Sequence, residues 1–277
     1  MWPLSAEELP NIQATRDCAR TDDEVTPSSV RSRVIEELTL NAWPPLEVLL
    51  FDGWVLSFSN GYTRRANSIH PLYPSCLPLA EKIATCEAIY AARGRQATFK
   101  VTSSPEHAEL DAVLHRLGYA TAGATSVQTA ELASGALVAD DSVAFATAVN
   151  DRWLGDFNRL TGVPAELQPS ERKLLEKIGP PHCFASLVVE DRTVAVGLAV
   201  CERGYVGLFD IVVEDAARNR GIGRRVCASL LGWGQRQGGT TAYLAVLADN
   251  GPALRLYGRL GFEEIYTYWY RHKPGAE

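Results

Sequence analysis

Apolar positions along the chain recur with two different periods, and the changes between them predict its secondary structure. Spacings of three and four residues predict helices, whereas short alternating or continuous apolar runs predict strands. The predicted helices of the first half are residues 28–40, 79–94 and 108–119. The predicted strands of the first half are residues 46–59, 64–73, 96–102 and 125–132.

The second half of the chain shows a similar succession of segments. Its predicted helices are residues 141–160, 169–179, 222–233 and 251–262. Its predicted strands are residues 183–190, 193–204, 205–213, 241–247 and 264–272. Strands therefore alternate with helices in both halves.

A shared short sequence suggests that the two halves are an internal duplication. LHRLGY ends one predicted helix and YGRLGF ends another, so Leu117 and Leu260 occupy matching positions. The small residues of LASGALVADD suit a linker between two copies. We therefore expect a polar N-terminal tail at residues 1–27, a first unit at residues 28–132 and a second unit at residues 133–277.

Composition and charge argue against several classes of protein. The net charge of −6 disfavours nucleic-acid binding, because a phosphate backbone requires a basic protein face. No apolar run approaches the ~20 residues of a membrane span, and the acidic N-terminus lacks the apolar core of a signal peptide. The six cysteines lack the spacing of a zinc site, so we expect reduced thiols, no metal and a cytoplasmic location.

A glycine turn carries the candidate chemistry. In EDAARNRGIGRRV, residues 214–226, arginines surround two glycines between a predicted strand and a predicted helix. Glycines let backbone N–H groups converge, and a helix N-terminus adds partial positive charge, so this turn suits a diphosphate. A turn whose arginines are only solvated is the alternative. A nicotinamide dinucleotide site is less well supported, because the order of the glycines differs from G-x-G-x-x-G.

The segments IVVEDAARNRGIGRRV and AYLAVLADNGPALRLYGRLGF together resemble the acetyl-CoA-binding core of the GNAT superfamily of N-acetyltransferases. The resemblance covers roughly residues 183–270. The first half, especially DGWVLSFSNGYTRRANSIHPLY, is similar to the N-terminal half of tandem GNAT proteins whose first unit is degenerate. The resemblance implies an α/β (α+β) fold of two GNAT-like units, each with a mixed, largely antiparallel central sheet flanked by helices.

The resemblance also implies where acetyl-CoA, the expected co-substrate, would bind. Backbone groups of Ile211, Val212 and Val213 would pair with the pantetheine arm, as an added strand pairs with a sheet edge. The main chain of the turn would hold the diphosphate. The residues of this expected cradle are Arg218, Asn219, Arg220, Gly221, Ile222, Gly223 and Arg224.

Two further positions match the family pattern, and each has a structural alternative. Asn250 would contact coenzyme A, or it caps the helix that begins at Gly251. Tyr257 would contact the cofactor and protonate the departing thiolate, because a phenol with a pKa of ~10 is protonated at neutral pH. Its alternative role is packing on one face of a helix.

The general base and the acceptor are less well defined by the sequence. A lysine-like amine must lose a proton before it attacks, so a carboxylate beside the thioester is expected. Asp210 is the first candidate, followed by Glu202 and Glu214, and for each of them a solvated or turn carboxylate is the alternative. The expected reaction is direct attack of a small-molecule, amino-acid or peptide amine on acetyl-CoA in a ternary complex. A non-catalytic acyl-CoA sensor is the alternative function.

The first half lacks both the glycine cradle and the tyrosine. PSCLPLAEK has no glycine, its prolines have no N–H to donate, and Leu114 takes the place of Tyr257. This unit would close the acceptor pocket or bury a face of the second unit. The segment NGYTRRANS, with Arg64, Arg65 and Asn67, suggests no mechanism, and the aromatic segment YTYWY fits either a pocket or the core. The sequence leaves the oligomeric state open.

Overall fold

The computed structural model of the chain describes residues 27–132, 140 and 142–275. The expected tail up to residue 26 and the expected boundary at residues 133–139 lie outside the described residues. The helices are α1 Pro27–Ala42, α2 Leu79–Ala91, α3 Ala108–Arg116, α4 Asp151–Thr161, α5 Gln168–Glu176, α6 Ile222–Arg236 and α7 Gly251–Gly258. The strands are β1 Glu47–Phe51, β2 Trp54–Phe58, β3 Ile69–Pro71, β4 Thr98–Thr102, β5 Ala120–Glu131, β6 Val143–Ala146, β7 His182–Val189, β8 Arg192–Glu202, β9 Tyr205–Val213, β10 Thr241–Leu247 and β11 Glu263–His272.

The strands of both halves form one continuous sheet of eleven strands, in the order β1-β2-β3-β4-β11-β5-β10-β9-β8-β7-β6. Within the described residues, β3–β4 and β9–β10 are the parallel pairs, and the other neighbours are antiparallel. The last strand of each half is exchanged, since β5 pairs with β10 and β11 pairs with β4. The sheet is therefore mixed and largely antiparallel, as expected, and it joins the two halves.

Helices cover both faces of this sheet and bury its apolar side chains. In the second half, α6 and α7 pack on one face through residues such as Val226, Leu230 and Tyr257. Helices α1, α4 and α5 pack on the other face through residues such as Leu38 and Phe157. Helices α2 and α3 cover the strands of the first half. Burial on both faces provides the main stabilising free energy.

Three predictions of local structure were wrong or incomplete. Residues 141–160 form strand β6 followed by α4, because Asn150 caps α4 by accepting a hydrogen bond from the Trp153 N–H at 3.0 Å. The predicted strand at residues 46–59 is a hairpin, since Asp52 and Gly53 both have positive φ and reverse the chain. Of the predicted strand at residues 64–73, only β3 is extended.

Four of the five cysteines in the described residues agree with the expected reduced state, and Cys18 lies outside the described residues. Cys86, Cys183, Cys201 and Cys227 are free and buried, and burial raises their pKa values. Cys76 is disulfide-bonded, so the expectation of a reduced thiol was wrong for this residue. In the described part of the chain, no helix has the length and apolarity that a membrane span requires.

Candidate functional site

A gap between two parallel strands forms the centre of the candidate site. Strands β9 and β10 pair only between Tyr205–Leu208 and Thr241–Leu244. Beyond Leu208, β9 continues to Val213 and pairs with β8 on its other side. The edge of β9 that faces β10 therefore has no strand partner there, and its main-chain groups are available to an extended ligand.

A β-bulge bends β9 at the start of this gap. Asp210 and Ile211 of β9 lie opposite a single residue of β8, Gly197. A Cβ atom at Gly197 would lie 2.7 Å from Ile211 Cδ1 and 2.9 Å from Leu230 Cδ1, so glycine at this position leaves room for both side chains. Asp210 has a φ of 51°, which is uncommon outside glycine and is often found at functional sites.

The turn after β9 presents main-chain N–H groups at the start of α6. The chain forms a 3₁₀ turn at Asp215–Ala217 and then has positive φ at Asn219 (62°) and Gly221 (75°). Gly221 is the N-cap of α6, and a glycine has no side chain that could accept a hydrogen bond from the first turn of this helix. Such a turn, together with the helix dipole, forms an anion-binding concavity.

The second glycine of the turn allows close packing. A Cβ atom at Gly223 would lie 3.1 Å from Leu256 Cδ2 and 3.6 Å from Val213 Cγ2. A larger residue would therefore crowd the Leu256 side chain of α7. Gly221 supplies the backbone conformation of the turn, and Gly223 brings the start of α6 close to the helix that carries Tyr257.

The arginine side chains of the turn have different partners. Arg225 pairs with Asp140 at 2.5 Å on the protein surface, so its side chain is not part of the cradle. Arg218 forms an ion pair within the turn at 2.7 Å. The side chains of Arg220 and Arg224 are exposed. These two residues lie at the rim, where they can add charge-assisted contacts to a bound anion.

A cavity of ≈ 220 Å³ lies in the gap between β9 and β10. Four predicted site residues, Asp210, Ile211, Asn250 and Tyr257, meet in its lining. Arg65, from the first half of the chain, lines the same cavity. The other predicted residues lie along the edge of β9 or in the turn before α6, outside the lining of the cavity.

Tyr257 on α7 is both a packing residue and a potential acid. Its ring is 8% exposed and contacts Phe262 edge to face, with 5.9 Å between the ring centroids. Burial, and then the nearby Cys227 thiol, raises the pKa of Tyr257 above its usual value, so the phenol stays protonated. None of the described residues hydrogen-bonds its hydroxyl, which leaves this donor available to a ligand in the cavity.

Asp210 has the properties of a general base. Burial raises the pKa of Asp210 to about 7, although Arg65 opposes this effect and Glu171 adds to it. Its Oδ2 atom is buried, and no described residue donates a hydrogen bond to it. A carboxylate that titrates near neutral pH can take a proton from an amine and release it again.

The other two candidate bases lie outside the cavity. Glu202 accepts hydrogen bonds from Asn41 Nδ2 at 3.0 and 3.1 Å. Glu214 forms ion pairs with Arg159, at 3.1 Å, and with Arg192. Both carboxylates thus have surface partners, which is the alternative that the sequence left open for them.

The side chain of Asn250 caps α7. Its Oδ1 atom accepts a hydrogen bond from the Ala253 N–H at 3.2 Å, which confirms the structural alternative for this residue. Asn250 also lines the cavity, so its amide group is in position for a ligand contact as well. The contact with coenzyme A stays a prediction.

Sequence reasoning missed Arg65 as a residue of the site. Its loop is held by Asn67, whose Oδ1 accepts hydrogen bonds from the N–H groups of Ser59 at 2.7 Å and Gly61 at 3.1 Å. The Nδ2 atom of Asn67 donates to two further carbonyls of the loop at 2.8 Å. The guanidinium of Arg65 lies 5.0 Å from the centre of the Trp43 ring. The sequence signal that could have indicated Arg65 was the motif NGYTRRANS, which contains this residue.

Replacing Asn67 with alanine is expected to lower the free energy of unfolding by about 2 kcal/mol, because partly buried loop amides lose their acceptor. Urea unfolding followed by circular dichroism measures this difference. Asn41→Ala is the matched control, since Asn41 is exposed and its surface hydrogen bonds should change the stability by about 0.5 kcal/mol or less. Equal stabilities of the two variants would contradict the assigned role of Asn67.

The turn between β3 and α2 corresponds to the turn between β9 and α6, because each leads into a helix that connects two parallel strands. A carboxylate of the chain itself occupies the turn of the first half. Asp52 accepts hydrogen bonds from the N–H groups of Cys76 and Leu77, each at 3.0 Å. Lys82 lies 3.1 Å from the same carboxylate. The helix begins after Pro78, which has no N–H. Two main-chain donors of this turn, those of Cys76 and Leu77, are thus already satisfied.

A known protein family matches most of the chain. The family described as "Probable histone acetyltransferase Rv0428c C-terminal" matches residues 28–271 of the chain. The chain belongs to this family. The Rv0428c-type match includes both halves and every residue of the candidate site.

Two relatives are named as N-acetyltransferases. The "Uncharacterized N-acetyltransferase YobR" of Bacillus subtilis is 26% identical over 245 residues, which cover 87% of this chain and 98% of that protein. The ribosomal protein bS18-alanine N-acetyltransferase of Salmonella typhimurium is 30% identical over 110 residues, which cover 39% of this chain and 74% of that enzyme. The chain is thus similar to N-acetyltransferases over almost its whole length.

Solved structures of GNAT proteins share the fold of this chain. A GCN5-related N-acetyltransferase from Kribbella flavida has a TM-score of 0.64 at 18% identity and covers 88% of this chain and 96% of that chain. A tandem GNAT protein from the clavulanic acid biosynthesis pathway has a TM-score of 0.60 at 14% identity, with 88% and 89% covered. Family, relatives and fold together identify an acyltransferase of the GNAT type.

Proposed function

We propose that this acetyltransferase transfers the acetyl group of acetyl-CoA to a primary amine of a small molecule, an amino acid or a peptide, by direct attack in a ternary complex. One observation carries the proposal: β9 and β10 part next to a turn whose helix start has no side-chain cap. A pantetheine arm is extended and offers amide groups, and a diphosphate is an anion. Their chemistry therefore complements these two adjacent features.

The predicted residues divide into three binding roles. The edge of β9 at Ile211, Val212 and Val213 pairs with the pantetheine arm. Main-chain N–H groups of residues 218–224 hold the diphosphate, with exposed arginines at the rim. Asn250 contacts coenzyme A beside the helix that it caps. Support for these roles comes from the unpaired strand edge, the positive φ angles of the turn and the position of Asn250 in the cavity.

Asp210 and Tyr257 have complementary roles in proton transfer. When bound, acetyl-CoA supplies the thioester that the amine attacks. Asp210 takes the proton of the attacking amine, directly or through water. Tyr257 donates its proton to the sulfur as the carbon–sulfur bond breaks. A carboxyl pKa of about 7 and a raised phenol pKa give both groups the protonation state that these roles require.

We further propose that residues 28–132 form a degenerate GNAT-like unit and residues 133–277 the catalytic unit, after a tail at residues 1–27. Outward from the central β5–β11 pair, the strands follow in the order β4, β3, β2, β1 on one side and β10, β9, β8, β7, β6 on the other. This similar order in the two halves supports an origin by duplication. Closure of the first-half turn by Asp52 supports the loss of a diphosphate site there. This unit has a different task, because it contributes Arg65 to the acceptor cavity. Use of acetyl-CoA fits a cytoplasmic location.

An assay of thiol release tests the proposed function. The purified protein is incubated with acetyl-CoA and pools of amino acids, polyamines or short peptides, and free coenzyme A is measured with a thiol reagent. We expect thiol release that depends on an amine, and mass spectrometry should find the acetylated product. If calorimetry detects acetyl-CoA binding but no pool increases thiol release above hydrolysis, the protein is an acyl-CoA binder instead.

A further inference from the structure

The cavity brings together two charges of opposite sign that lack direct partners. Arg65 comes from the loop between β2 and β3, and Asp210 comes from the bulge of β9. Arg65 Nη1 and Asp210 Oδ2 are both buried, and neither has a hydrogen-bond partner in residues 27–132 or 142–275. The two groups act on each other electrostatically, without a hydrogen bond between them. Buried charges without partners are costly, so a ligand that satisfies both is favoured.

The guanidinium of Arg65 is held in an aromatic slot. Its Cζ atom lies 5.0 Å from the centre of the Trp43 ring and 5.7 Å from that of Phe209. Trp43 is fixed in turn, because its Nε1 donates a hydrogen bond to Thr63 Oγ1 at 3.2 Å. These two aromatic rings restrict where the guanidinium can lie. The planar N–H fork of an arginine matches the two oxygens of a carboxylate.

A second carboxylate, outside the lining of the cavity, adds negative charge near Asp210. Glu171 is buried, and its Oε1 accepts a hydrogen bond from the Tyr62 hydroxyl at 2.9 Å. Glu171 raises the pKa of Asp210 electrostatically. An ammonium group would be attracted to the ionised Asp210 and repelled by Arg65. The lining of the cavity thus holds one cationic and one acidic side chain.

We infer, on the basis of the proposed acetyl transfer, that the acceptor is a free amino acid whose carboxylate binds Arg65 and whose amino group lies against Asp210. The same cavity must also take the thioester end of acetyl-CoA, so its ≈ 220 Å³ leaves room only for a small acceptor. An internal lysine side chain or a protein N-terminus has no carboxylate next to its amine and would leave Arg65 unpaired. In the reaction, the nitrogen bonds to the acetyl carbon, the carbon–sulfur bond breaks, Asp210 receives the amine proton and Tyr257 protonates the sulfur.

A comparison of amino acids with their carboxamides tests this inference on the unaltered protein. Each free α-amino acid is assayed beside its α-carboxamide and beside a short peptide that begins with the same residue, at saturating acetyl-CoA. The carboxamide has the less basic amine and is intrinsically the more reactive nucleophile at neutral pH. A preference for the acid must therefore come from binding. We expect kcat/KM to be about tenfold or more higher for the best acid than for its carboxamide.

Variants of Arg65 show where the preference arises. We expect Arg65→Gln to raise KM for the acid and to bring the ratio of kcat/KM between acid and carboxamide close to one. Because Arg65 also opposes the raised pKa of Asp210, both substrates are compared well above pH 7, where Asp210 is ionised in the variant as well. Arg65→Lys should restore part of the preference, because it keeps the charge but loses the planar fork. Arg64→Gln is the matched control and should keep the full preference, since the Arg64 side chain is exposed. Thermal unfolding checks that each variant is folded.

The outcomes separate this inference from the proposed function. If the protein acetylates carboxamides or peptides as efficiently as acids, acetyl transfer stands and the inference is wrong. If Arg65→Gln lowers kcat/KM equally for acids and carboxamides, Arg65 has only a structural role and the inference is also wrong. If no amine of any class releases thiol, the proposed function fails, and the inference fails with it.

Discussion

Replacing Tyr257 with phenylalanine is expected to lower kcat by about 100-fold or more, because general acid catalysis contributes factors of about 10²–10⁴. The substitution removes only the hydroxyl. The ring keeps its edge-to-face contact with Phe262 and its place in the cavity wall. The phenol is available as an acid at every physiological pH, since burial raises its pKa and no described residue competes for its proton. Steady-state thiol release at saturating acetyl-CoA measures the effect.

Binding measurements distinguish an acid from a packing residue. Acetyl-CoA should bind Tyr257→Phe with nearly unchanged affinity, because the proposed hydrogen bond forms mainly as the sulfur gains negative charge. Tyr205→Phe is the matched control, since Tyr205 lies on β9 outside the cavity, and its kcat should be unchanged. If Tyr257→Phe keeps kcat within about twofold of the unaltered protein, Tyr257 is not the acid.

Replacing Asp210 with asparagine is expected to lower kcat/KM by about 100-fold at neutral pH and to change its pH profile. The base is active only as the carboxylate. With a pKa of about 7, kcat/KM of the unaltered protein should fall as the pH decreases through 7 and should level off above it. Asparagine cannot accept the proton, so the variant should lose this titration. In this variant, kcat/KM should still depend on the deprotonation of the amine substrate at higher pH.

A surface glutamate provides the control for the pH profile. Glu214→Gln should keep both kcat/KM and the titration near pH 7, because Glu214 pairs with surface arginines outside the cavity. If Asp210→Asn keeps the same titration, another group sets it, and Asp210 is not the base. If Asp210→Asn also loses acetyl-CoA binding, the negative charge of Asp210 has a structural role in the bulge of β9.

Much of the fold and part of the site could be predicted from the sequence. The glycine turn, Asn250 and Tyr257 were predicted as site residues because they are close in sequence and follow a family pattern. Asp210 was predicted because it lies in a strand beside the turn. Helix and strand periods were sufficient for most elements, and they failed at β6, where four residues are too short for a clear period.

The remaining features depend on contacts that are distant in sequence. Arg65 reaches the cavity only because β11 and β5 are exchanged and join both halves in one sheet. A single sequence contains no signal for such an exchange. The closure of the first-half turn by Asp52 likewise depends on a residue that precedes Cys76 by 24 positions. The bulge at Asp210 could not be predicted either, because the glycine opposite it, Gly197, lies on the neighbouring strand β8.

Calorimetric titration of acetyl-CoA into three proteins tests the central claim most directly. Arg224 is in the first turn of α6, where its N–H makes no intrahelical bond, so Arg224→Pro removes one main-chain donor and Arg224→Ala removes only the side chain. We predict that acetyl-CoA binds the unaltered protein, that Arg224→Ala weakens binding by about threefold or less, and that Arg224→Pro weakens it by about tenfold or more. Absence of binding to the folded protein, or equal affinities of the two variants, would contradict the main-chain cradle.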